Sequence, residues 1–202
     1  MPRNYSPDFW ELDSLLDSSL YAQLSKCVTF VEDQIGQFDD RNETEFEEEF
    51  GTLIQAAFIM TVVARMENHL KRICNVIGQM RNLEVRFTDL RGANGFESCI
   101  AYLKKVLQID LPSDLNTIRG IVEIRNKWVH EDGHLPELPR ALGGLRNNVE
   151  ISSNGRIDFT GPFVQEACKV CRAFMQKIEE ATQNETRRWV SKKKKRAKQS
   201  QK

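Results

Sequence analysis

Leu115-Asn116-Thr117-Ile118-Arg119-Gly120-Ile121-Val122-Glu123-Ile124-Arg125-Asn126-Lys127-Trp128-Val129-His130 decides how this 202-residue chain is read. Placed at ~100° per residue, Ile118, Ile121, Val122, Trp128 and Val129 gather on one side of a helix, which Ser113 opens and Gly133 closes. Arg125 falls near the middle of that side. Desolvating a guanidinium there costs several kcal/mol unless a carboxylate, a phosphate or a subunit boundary meets it. Asn126 and His130, one turn apart, line an edge of the same stripe, and Glu123 and Arg119 precede them on that edge by one and two turns.

Outward from this helix the chain keeps its helical period. Downstream, Leu135 to Gly144 reads as a Pro- and Gly-containing loop, and Val149, Ile151, Ile157 and Phe159 alternate around Ser153-Asn154-Gly155 as a small hairpin. Gly161-Pro162 then opens a helix through Phe163, Ala167, Val170, Cys171, Phe174, Ile178 and Ala181. Upstream, Phe96, Ile100, Leu103 and Val106 form a helix stopped by Leu111-Pro112, and residues 81 to 95 read as a connection. Thr44-x-x-Glu47 is a capping-box pattern before a helix of about 30 residues ending near Gly78. Phe9 to Val31 supplies a further helix behind Ser6-Pro7. The pattern predicts an all-α antiparallel bundle of about five helices with a small β-hairpin insertion before the last helix. It forms one domain over residues 1 to 185, with a basic, disordered tail over 186 to 202.

Hydrophobic residues at 40% and charged residues at 29% describe an ordinary soluble chain, with no apolar run near the ~18 residues a membrane span requires. The first residues carry no apolar signal region, so the expected compartment is the cytoplasm. The formal charge of zero hides a polarity: residues 1 to 50 hold thirteen Asp and Glu against three Lys and Arg, whereas residues 185 to 202 hold nine Lys and Arg against Glu185. Lys192, Lys193, Lys194, Lys195 and Arg196 can attract phosphate whatever the core does. Five cysteines, an odd number within apolar helical stretches, suit reduced core thiols. Cys168-x-x-Cys171 is half a zinc pattern, but it has no second pair and no nearby histidine, and i, i+3 spacing places both thiols on one buried face. There is no Gly-rich phosphate loop and no His-Glu-x-x-His or Gly-x-Ser-x-Gly, so neither metal nor cofactor is expected.

Arg125, Asn126 and His130, an Arg followed by a polar residue and a His at fixed spacing near a helix end, resemble the signature of the HEPN superfamily of all-helical domains. The leading Leu115 to Ile124, the trailing Glu131-Asp132-Gly133 and the long helix bearing Met66-Glu67-Asn68-His69-Leu70 are similar to that family's core helices. The resemblance covers roughly residues 45 to 185. It implies a metal-independent endoribonuclease acting in toxin–antitoxin or antiviral defence, a homodimer joined through the motif helix, with RNA as substrate and an antitoxin or activator protein as a further partner. It assigns His130 to acid–base chemistry and Arg125 to the scissile phosphate, with Asn126 orienting His130 or donating to a phosphate oxygen. Glu67 and Asp132 are possible supports: Glu67 for Arg125 or His130, Asp132 as turn former or functional acid. His134, past Gly133, ranks below His130. Two other readings stay open: a non-catalytic RNA- or nucleotide-binding module of the same fold, and a helical scaffold in which Arg125 closes a dimer against a carboxylate such as those of Glu43 to Glu49.

Overall fold

Residues 45 to 80 contain no proline, and apolar side chains recur through them at three- and four-residue steps. They form helix α1, Glu45–Met80, in a computed structural model that describes residues 45–90, 95–159 and 161–199. The expected first helix and Cys27 lie outside those residues. α1 runs past Gly78 and stops where Asn82 takes a left-handed conformation, φ 50°, which Asn tolerates better than most side chains. A 3₁₀ turn at Phe87–Asp89 leads to α2, Gly95–Lys105, and then to the motif helix α3, Leu115–Glu131. Asp114 rather than Ser113 is the N-cap of α3, through its backbone carbonyl, which accepts from Ile118 N at 3.0 Å.

Part of the expected loop is 3₁₀ helix, Arg140–Asn148, interrupted at Gly143. The hairpin follows as β1, Val149–Ile151, antiparallel to β2, Ile157–Phe159, with Val149 opposite Phe159. Gly155, φ 81°, makes the turn that Asn154-Gly155 predicts. The last helix, α4, spans Gly161–Gln199. The fold is thus mostly α, with a two-stranded hairpin before the final helix. The basic run continues α4 instead of standing apart as a disordered tail, since residues 185 to 199 contain neither Gly nor Pro to end it.

Contacts divide the described chain into two units. One comprises residues 67–112 and 175–199. In it His69 Nε2, 6% exposed, donates to Glu179 Oε1 at 2.7 Å. Farther along both helices, Arg81 lies 3.7 Å from Glu185 and over the ring of Trp189. The pairs rise together, so α1 and α4 run in the same direction here. Burial lowers the pKa of Arg81, and the nearby carboxylate of Glu185 opposes that shift. Cys74 and Cys99 are buried and hydrogen bonded, and this bond, followed by burial, pushes the Cys74 thiol up.

The other unit comprises residues 45–66 and 113–174. Ile59, Val62, Val63 and Met66 of α1 are buried in it, as are Phe163, Val164, Ala167, Cys168, Cys171 and Phe174 of α4. Each large apolar side chain removed from water in this way stabilises the fold by about 1.5–3 kcal/mol. α3 meets the Arg140–Asn148 stretch so closely that a Cβ on Gly120 would sit 2.8 Å from the backbone nitrogen of Leu142. Backbone cannot step aside as a flexible side chain can.

Gly120→Ala is therefore expected to cost about 1–3 kcal/mol in chemical denaturation. Cys171, whose thiol is pushed up by burial, is expected to resist iodoacetamide in the native protein and to be alkylated only in denaturant, as peptide mass mapping would show.

Candidate functional site

Burial along α3 narrows toward its C-terminus. Ile118, Gly120, Ile121 and Val122 are buried in its first half, but only Ile124 and Trp128 in its second. Ile121, Ile124 and Trp128 mark the middle of the buried side, so Arg125 lies at its edge and not at its centre. The shift arises because the Arg140–Asn148 stretch packs on the Gly120 side of the helix. Arg125 is half-buried with its Nε out of reach of solvent, and Val129, one turn later, is 48% exposed.

Arg125, Val129, Asn126 and His130 therefore form one continuous arc of about 140° at the helix exit, in that order around the axis. Asn126 is half-buried and His130 exposed. Lys127 leaves the arc and pairs with Glu131 at 2.6 Å. A cation, an amide and an imidazole on one surface are groups that can hold a phosphate and serve general acid–base chemistry. In a single chain Arg125 and His130 stand on opposite shoulders of that arc.

The exit of α3 is held from the hairpin. Asp132 takes φ 51° and its N–H donates to Lys127 O. Gly133 follows at φ 79°, its N–H also donating to Lys127 O, and a Cβ there would meet the Trp128 ring at 2.9 Å. Two left-handed residues end the helix, and the second is required to be glycine by both conformation and space. Arg156 then closes the corner. Its Nε donates to Asp132 O at 3.1 Å, its Nη2 meets Asp132 Oδ1 at 2.9 Å, and its guanidinium lies 4.9 Å from the Trp128 ring centroid. Trp128 stacks in turn on Phe159, and Phe159 on Phe163. Backbone bonds from Leu135 N to Gly155 O and from Ile157 N to Gly133 O, both 3.0 Å, extend the hairpin onto the segment after the helix.

Asp132 is thus a turn former bound to Arg156, the first of the two roles its place at the helix end allows. His134 is exposed and pairs with Arg156 as a β-bridge. Glu67 belongs to the other unit, where its carboxylate counteracts the lowering of the Cys99 thiol by the hydrogen bond from Cys74. The lysine run lies on α4 in that same unit, with Lys192, Lys193 and Lys195 exposed. Lys193 Nζ lies 5.1 Å from the Trp189 ring centroid, on the ring that Arg81 also covers. Among the described residues no three His, Cys, Asp or Glu side chains form a group able to hold a metal ion, and no helix is long and apolar enough to cross a membrane. Arg156 was not legible as part of the site. The Asn154-Gly155 turn reveals the hairpin, but nothing in the spacing says which ring its arginine will cover.

Arg156→Ala is expected to cost about 1–2 kcal/mol and to speed amide exchange in the last turn of α3. Asp132→Asn, which keeps a side chain that accepts the left-handed conformation, should cost less, because that side chain is 73% exposed and water can replace much of its ion pair. Hydrogen exchange and urea denaturation of the two variants check the order. No protein-family model matches the chain, and neither does any curated protein or any solved structure.

Proposed function

We propose that this chain is a HEPN-type, metal-independent endoribonuclease of toxin–antitoxin or antiviral defence. The observation that carries the reading is the uncovered arc at the α3 exit, where the half-buried Arg125 and the exposed His130 flank Val129 and Asn126. In this reading one His130 imidazole takes the proton from a ribose 2′-OH, and the 2′-oxygen attacks the adjacent phosphorus. The P–O5′ bond breaks, leaving a 2′,3′-cyclic phosphate, and an imidazolium returns a proton to the departing 5′-oxygen. Arg125 holds the non-bridging oxygens as charge builds on them.

The exposure of Val129 supports a homodimer about the motif helix. A second copy seated on it would bring both Arg125 and both His130 side chains to one cleft, closing the gap between the two shoulders of the arc. RNA is the partner this chemistry requires, and the lysines of α4 add sequence-independent attraction. An antitoxin or activator protein would act on the same dimer, and the cytoplasm is its setting.

One observation favours the non-catalytic RNA- or nucleotide-binding module instead. The His130 ring is exposed on the helix surface, where water solvates it, whereas acid–base histidines are commonly held by a partner on the second nitrogen. Purified wild type, Arg125→Ala and His130→Ala incubated with total RNA in EDTA separate the readings. Cleavage by wild type to cyclic-phosphate ends, with losses of about 10²-fold or more in both variants, is the expected result. Equal cleavage by all three proteins, or dependence on added metal, would exclude the mechanism. RNA binding without cleavage would favour the module.

A further inference from the structure

Arg119 lies seven residues before Asn126 and eleven before His130, which places it within about 20° of both around the α3 axis. It stands between them in angle and ~10 Å up the helix from Asn126. The side chain is partly exposed, and Nη1 donates to Asn116 Oδ1 at 3.3 Å, which steadies the guanidinium along the helix surface. Glu123, one turn from Arg119 toward Asn126, is exposed on the same strip. The strip is thus a cation, an anion, an amide and an imidazole in succession along one open line, on the helix whose other side is buried.

We infer that this line is a track for single-stranded RNA, in which Arg119 holds a backbone phosphate about three nucleotides from the cleavage position. The inference rests on the reading of Arg125 and His130 given above and extends it from one phosphate to a strand. At ~3.4 Å per stacked nucleotide, the distance from Asn126 to Arg119 amounts to about three nucleotides. Glu123 repels a phosphate at its own level, so the strand places a nucleoside there and its charges on either side. Double-stranded RNA presents its phosphates on a rigid helix and fits such a line less well than a flexible strand. The arginine is therefore a binding residue that a minimal substrate does not need.

The test uses the full chain and two lengths of RNA. A 2′-O-methyl octamer cannot be cleaved, because its attacking oxygen is blocked, so fluorescence anisotropy reads binding alone. Arg119→Ala is expected to weaken that binding about ten-fold and to lower the log–log salt slope by about 0.7, the value for one phosphate on a single strand. Arg119→Lys should restore much of the slope, and Glu123→Gln should tighten binding. In cleavage assays Arg119→Ala should raise KM for an unmodified octamer at unchanged kcat, and should lose far less kcat/KM on a dinucleotide, which has only the scissile phosphate. Octamer binding and slope unchanged in Arg119→Ala, weaker binding in Glu123→Gln, or equal loss on both substrates overturns the track. If wild type cleaves nothing while Arg119→Ala still lowers the slope, the nuclease reading fails and the track stands. If wild type cleaves and the slope is unmoved, the track fails and the nuclease reading stands.

Discussion

Everything at the candidate site depends on how α3 ends. A helix terminus leaves its last carbonyls without intrahelical partners, and this one resolves the problem with two left-handed residues whose N–H groups turn back onto Lys127. Arg156 then fixes the turn from outside, binding the carbonyl and carboxylate of Asp132 while covering Trp128. The cation is partly shielded, so each of its contacts is stronger than the same contact in open water. His130 lies two residues before that turn. Its position is set by a hairpin that supplies none of the three motif residues.

The same arrangement explains why the surface of α3 changes character along its length. Near Gly120 the helix is pressed against backbone and presents little to solvent on that side. Near Arg125 the covering stops, and a valine and a histidine are left open beside a half-buried cation. An exposed β-branched side chain is common enough singly, but this one lies between the two residue types that phosphate chemistry uses. Packing on one half of the helix provides a rigid platform, and its absence on the other provides room. Sites built on such elements keep their geometry better than sites built on loops.

Much of this was legible in the residues. Periodicity located α1, α2, α3 and α4, because each buries a stripe at helical spacing, and Asn154-Gly155 located the hairpin, because few residue pairs accept that turn. Arg125, Asn126 and His130 were found as a group by their spacing. A wheel centred on apolar residues overstates the burial of Arg125, since it counts Val129 as covered when that side chain is 48% exposed. The pairing of Asp132 with Arg156 depends on a contact between residues 24 positions apart, which no local pattern encodes. The continuation of α4 through the lysines is hidden for a different reason: a basic run near a terminus reads as a disordered tail, while the uninterrupted absence of Gly and Pro favours helix.

The indole of Trp128 has a consequence of its own. It is one of three tryptophans in the chain, it is 7% exposed, and it touches both the turn that ends the motif helix and the cation that secures it. Its emission therefore responds to loosening of that corner, with no label introduced. The molecule carries its own optical gauge, sited one turn of helix from the surface where a ligand would arrive.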